Sequence, residues 1–135
     1  MLIGDPVLEC SLNELGESKA RDSNFQSSLS DRCTIACNKK LKDISSEELR
    51  TLIGQLIGLK YTVPLALSLL EEDPLYNAGL YRGDLLAIVL KIPSDFWKNN
   101  PFLNNRLSEI RISIEEVYKT LSEEIMTGIV RINFI

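Results

Sequence analysis

The sequence contains no histidine. Its absence excludes the ordinary Ser-His-Asp and Cys-His arrangements, and any acid–base work near pH 7 would fall to carboxylates. Cysteine is scarce. Cys10, Cys33 and Cys37 are an odd set, unsuited to a disulfide scaffold, and without histidine they fall short of the four ligands of a closed zinc site. Cys33 and Cys37 stand four apart on one helical face and read as small buried hydrophobes. Positive charge is also in the minority: 15 Lys and Arg face 19 Asp and Glu, for a formal net charge of -4. That balance argues against a surface that neutralises phosphates, so no direct nucleic-acid contact is expected. Long apolar runs are missing too, since "LLAIVLKI" is far short of a membrane span. The opening "MLIGDPVLEC" meets Asp5 and Pro6 at once instead of forming a leader. The expectation is a cytoplasmic protein with no membrane contact, no metal and no cofactor.

What is present is enough for one domain: 135 residues, 44% of them hydrophobic and 25% charged. Residues 1–27 are polar and aperiodic around Gly16 and are expected as an irregular N-terminal segment; the helical domain is expected over 28–135. "SLSDRCTIACNKK" places Leu29, Cys33, Ala36 and Cys37 on one helical face. Ser45 and Glu48 form a capping box ahead of Leu49, Leu52, Ile53, Leu56 and Ile57, whose spacing marks a buried stripe. Gly58 is placed to end that helix in a left-handed conformation. The next helix is expected to begin with Thr62 as its N-cap and Pro64 in its first turn, and to stop at Asp73 and Pro74. "PLYNAGLYRGD" is turn-rich, and Asp84 is placed to cap the segment after it. Leu85–Ile92 fits either a core strand or a buried helix, and its neighbours favour helix. Two short amphipathic segments follow, around Phe96–Trp97 and from Pro101. Ser113 and Glu116 suggest a second capping box, and "GIVRINFI" a short strand or extended tail. The sum is a mostly α, compact single-domain bundle of six or seven helices.

Chemistry has few places to reside. Glu71, Glu72 and Asp73 form the densest acidic run, which fits a solvated helix end or a contact patch for a basic partner, and only poorly a pair of catalytic acids. "GLYRGD" lacks the spacing and the lysine of a phosphate loop. Tyr76 and Tyr81 either roof the core or, with Arg82, form an exposed corner of the aromatic and arginine type found at binding hot spots.

The segment "LRTLIGQLIGLKYTVPLALSLLEEDPLYNAGLYRGDLLAIVLKIPSDFW", Leu49 to Trp97, resembles the signature segment of a family of immunity proteins from bacterial contact-dependent growth inhibition (CDI) systems, the helical type. The pattern is LRxLIGQxxGLxYxVPLAL, then PL, then YxGDLL, then FW. With "SSLSDRCTIACNKKLKDIS" upstream, the resemblance spans about Ser27 to Leu107. It departs at Lys40, where proline is usual, and at Asn77 and Leu80, where an acidic pair is frequent.

The resemblance implies a helical antidote without turnover chemistry. Such a protein binds the C-terminal toxin domain of an exoprotein as a heterodimer in the cytoplasm and occludes its active site or substrate groove. If the toxin is a nuclease its groove is basic, and an acidic antidote suits it. Gly58, Pro64, Pro74, Tyr81, Gly83, Asp84 and Trp97 are then expected to fix the scaffold. Toxin contact is expected from surface residues that discriminate one toxin from another: Asp43, Glu47, Glu71, Glu72, Asp73 and Tyr76, with Lys60 and Arg82 as orienting charges. A rival face is the acidic side of the 109–124 helix, with Glu109, Glu115, Glu116, Glu123 and Glu124. The alternative function is a small helical regulatory or scaffold-binding protein without a toxin partner. A carboxylate hydrolase would require an acid with a raised pKa in a pocket.

Overall fold

The computed structural model describes residues 4–18 and 28–132. Among them stand six helical rods and no β-sheet, extended pairing being confined to the isolated bridges Ser11–Lys40 and Asn77–Arg82. The first five rods are α1 (Ser28–Cys37), α2 (Ser46–Gly54), α3 (Leu59–Glu72), α4 (Asp84–Val89) and α5 (Ser94–Asn99). The sixth begins as α6 (Pro101–Thr120), passes through a π turn (Leu121–Ile125) and continues as α7 (Met126–Ile132). Short 3-10 turns, Pro6–Glu9 and Leu41–Asp43, flank α1 in the sequence. A mostly α single-domain bundle is the architecture that the periodicity predicts.

Two apolar clusters share α2. Leu52 enters a cluster with Leu12, Cys33, Ala36, Cys37, Leu41 and Ile57, whereas its neighbour Ile53 enters the larger one, built on Val63, Leu67, Leu70, Leu85 and Val89. A helical turn places successive residues about 100° apart, so one short helix can serve both. α3 is central and packs against α2, α4 and α6. Leu12 is fully buried although it lies in the stretch expected to be irregular. Residues 4–18 do lack α-helix, but one of their side chains fills the smaller core. Residues 1–3 and 19–27 of that stretch lie outside the described residues.

The Ser45–Glu48 capping box forms as expected, with both reciprocal bonds present at 3.1 and 3.0 Å. Four local expectations need correction. First, α2 ends at Gly54, and Leu56, not Gly58, takes the left-handed position after it, with φ 57°. Ile57 N–H donates to Leu52 O and Leu56 N–H to Ile53 O, each at 2.9 Å, which is the Schellman closure. Burial of Ile57 beside Leu52 drives this early stop and turns Leu56 outward. Gly58 is left-handed as well, but it stands at the N-cap of α3, where a Cβ would come within 2.8 Å of Leu12.

Second, α3 therefore begins one turn before Thr62. The Thr62 hydroxyl donates back to Gly58 O at 3.1 Å instead of capping, and Pro64 is the sixth helical residue. Third, Ser113 lies inside unbroken α6, because extending an existing helix costs less than nucleating a new one. Fourth, the expected strand or extended tail after Gly128 is helical through Ile132; no proline follows Pro101, and Gly128 is the sole glycine in that stretch. Residues 133–135 lie outside the described residues.

Candidate functional site

The turn-rich loop between α3 and α4 is organised by one carboxylate. Asp84, buried at 3% exposure, accepts hydrogen bonds from the main-chain N–H of Ala78 at 2.7 Å and of Leu80 at 2.9 Å. Arg50 of α2 reaches the same carboxylate at 3.3 Å and donates to the carbonyl of Ala78. Burial alone would push the Asp84 carboxyl up, but these bonds, with one from the Tyr81 backbone, outweigh it and hold the pKa below its ordinary value. The expected capping role is thus corrected: Gly83 is the N-cap of α4, and Asp84, the first helical residue, turns its carboxylate back into the loop. Gly79 (φ 112°) and Gly83 (φ 94°) take conformations that side chains disfavour, and Asn77 Oδ1 accepts from Gly79 N–H at 2.8 Å. A segment without regular secondary structure is in this way held to a single shape.

That clamped loop presents Leu80, 67% exposed, and Tyr81, 56% exposed. On one flank Gly79 lies against the side chain of Glu47. On the other, Arg82 stands 3.8 Å from Asp73, which also accepts from Leu75 N–H at 3.0 Å. Below the loop a shallow groove of about 430 Å³ between α1, α2 and α4 takes in Arg32, Gln55 and Lys91, so the rim carries both signs of charge.

The residues singled out from sequence separate into groups. Asp73, Tyr76 and Arg82 gather at the end of α3 with Glu71 and Glu72, and Tyr76 is half-buried against the main core while Tyr81 stays exposed. The carboxylate of Glu71 is engaged by Arg106 of α6, with Nε at 3.1 Å. Asp43 and Glu47 lie on exposed positions before and at the start of α2. Lys60 is at the other end of α3, with its ammonium 5.4 Å from the Tyr61 ring centre, roughly 18 Å along the axis from Glu72 at 1.5 Å per residue. Pro64 is buried and Pro74 half-buried, and Trp97 packs edge-on to Phe96 at 5.2 Å against the main core.

Sequence reasoning passed over Arg50, Leu80, Arg32 and Lys91 as site residues. Arg50 had a signal in the motif itself, as a cation in an otherwise apolar stretch. The other three become neighbours only when α1, α2 and α4 meet.

Nothing in this geometry resembles acid–base machinery. Where carboxyl pKa values shift among the described residues they move down: at Glu9 through Lys42 and Lys40, and at Glu48 and Asp84 through bonds that outweigh burial. A general acid needs the opposite shift. Among the described residues no group of three or more Cys, Asp or Glu could hold a metal ion, and no helix is long and apolar enough to cross a membrane.

A small helical body that offers a fixed loop with exposed apolar side chains and a charged rim belongs to the class of protein-binding domains. The sequence pattern of the family described as CDI immunity proteins matches residues 14–107, well over half of the chain, and the protein belongs to that family. No curated protein and no solved structure matches it.

Proposed function

We propose that this protein neutralises the C-terminal toxin domain of a CDI exoprotein by binding it in the cytoplasm, without turnover of its own, as a one-to-one complex. Family membership supports the antidote role. The observation that carries the binding mode is the loop: Leu80 and Tyr81 project from a backbone pinned by buried Asp84 and Arg50, with Glu47 on one side and Asp73 and Arg82 on the other. Anchors that are already ordered lose little freedom on binding, and flanking charges set orientation and encounter rate. The toxin is a nuclease with a basic groove, matching the net charge of -4. Asp43, Glu47, Glu72, Asp73 and Tyr76 supply the contact face, and Glu71 adds to it while tied to Arg106. Arg82 and Lys60 orient the partner. Gly58, Pro64, Pro74, Gly83, Asp84 and Trp97 hold the scaffold.

The test is calorimetric titration of the purified protein against the toxin domain encoded beside it, at two salt concentrations. The expected outcome is nanomolar binding that weakens as salt rises, with Tyr81→Ala and Leu80→Ala each weakening it about tenfold or more. Absence of binding to a folded toxin domain overturns the proposal and leaves a regulatory or scaffold-binding role.

A further inference from the structure

The last rod outruns the body that supports it. Its inner face begins in the core, where Leu103, Leu107 and Ile114 pack on the main cluster and Ile110 is buried. The same face continues as Val117, Leu121, Ile125, Ile129 and Ile132, which are 43–65% exposed. From Glu115 to Ile132 every residue but Gly128 is exposed. Beyond residue 107 the rod also lies outside the region matched by the family.

The π turn gives this stripe its form. Apolar positions four apart drift round an α-helix by about 40° per step, since each residue turns about 100°. The wider π turn at Leu121–Ile125 offsets that drift and returns Ile125 and Ile129 to the side held by Val117. Residues 114, 117, 121, 125, 129 and 132 therefore lie in one line, with steps of 3, 4, 4, 4 and 3. The series reads the same in both directions.

We propose that this face pairs with the same face of a second copy, antiparallel, about a two-fold axis beside residue 123. In that register Leu121 meets the partner copy's position 125, Val117 meets 129 and Ile114 meets 132, so Ile132 of each rod reaches the point where the other rod leaves its body. The overlap runs for about 27 Å at 1.5 Å per residue. Five large apolar side chains per rod, about half exposed, give a buried area of order 1,000 Å², at the lower edge of stable interfaces. One side of the stripe carries Thr120, Glu124 and Gly128 and the other Tyr118, Ser122 and Met126, so Glu124 is the one charged residue among these six. A Cβ at Gly128 meets nothing within 4 Å of its own chain, which leaves room for the close approach of a partner helix. Antiparallel order sets Glu115 and Glu116 beside Arg131, whereas parallel order would set them against their own copies.

The experiment is sedimentation equilibrium of the full chain alone, so the result does not depend on the toxin. At about 100 µM the expected mass is twice 15.2 kDa. The double substitution Leu121→Glu, Ile125→Glu should return the chain to 15.2 kDa with Trp97 fluorescence unchanged, since both side chains are exposed and neither packs on the cluster that holds Trp97. A second arm tests the register: on a Cys10→Ser background, Leu121→Cys protein mixed with Ile125→Cys protein should form the mixed disulfide in preference to either self-paired one. A chain that stays monomeric, a dimer that survives the double substitution, or preferential self-pairing of Leu121→Cys would each overturn the proposal.

Discussion

The loop at 77–83 and the rod beyond residue 115 invert the usual link between regularity and rigidity. The loop has no regular secondary structure, yet its backbone is tied to a buried carboxylate and its shape is set by the folded body. The distal rod is helical throughout, yet its side chains from Glu115 to Ile132 are exposed at every position but Gly128. Tertiary anchoring, not local repetition, decides which segment can present side chains at fixed positions.

The largest effect is expected from breaking the anchored side. Asp84→Ala leaves Arg50 partly buried without its counter-charge and two loop N–H groups without acceptors. Urea denaturation should show a loss of about 3–5 kcal/mol. Acid should do the same by protonation. The folded pKa of Asp84 lies below its ordinary 3.8, so its stabilisation is fully present above the unfolded value and is lost as pH falls through the folded one. The midpoint in urea should therefore drop below about pH 4, and that acid-specific part of the drop should vanish in Asp84→Asn. A smaller contrast sharpens the comparison. In dilute protein, amide exchange at Ala78 and Leu80 should be slow and close to the global limit, while amides of Glu115–Ile132 exchange by local fraying. The smallest effect is on the unsupported side: Val130→Ala, at a position 76% exposed, should change stability by about 0.5 kcal/mol or less, with alanine gaining slightly in helix propensity.

Where structure follows from neighbours in sequence, it was legible. The Ser45–Glu48 box, the Cys33–Cys37 face and the choice of helix for Leu85–Val89 all rest on spacings of a few residues, and all are present. The exchange of roles between Leu56 and Gly58 was hidden because it follows from burial of Ile57 in the cluster it shares with Leu52 and with Leu12, more than forty positions away. Arg50 and Asp84 are separated by 34 residues, so their pairing depends on how α2 meets α4. At the other end of the chain the failure was one of habit: a β-branched run after glycine suggests a strand, but a strand needs an edge to join, and a helix already under way does not. Of the candidate site, the cluster at the end of α3 could be foreseen from composition. The exposed pair Leu80 and Tyr81 could not, since apolar residues in a turn look like core until the loop is seen to point outward.

The hydrogen bonds that tie the loop to Asp84 come from the main-chain N–H of Ala78 and Leu80. Neither depends on which side chain stands at 80, 81 or 82. The carboxylate thus works as a socket with interchangeable fittings: a lineage could replace the projecting residues one at a time, shifting which adversary it answers, while every intermediate still folds.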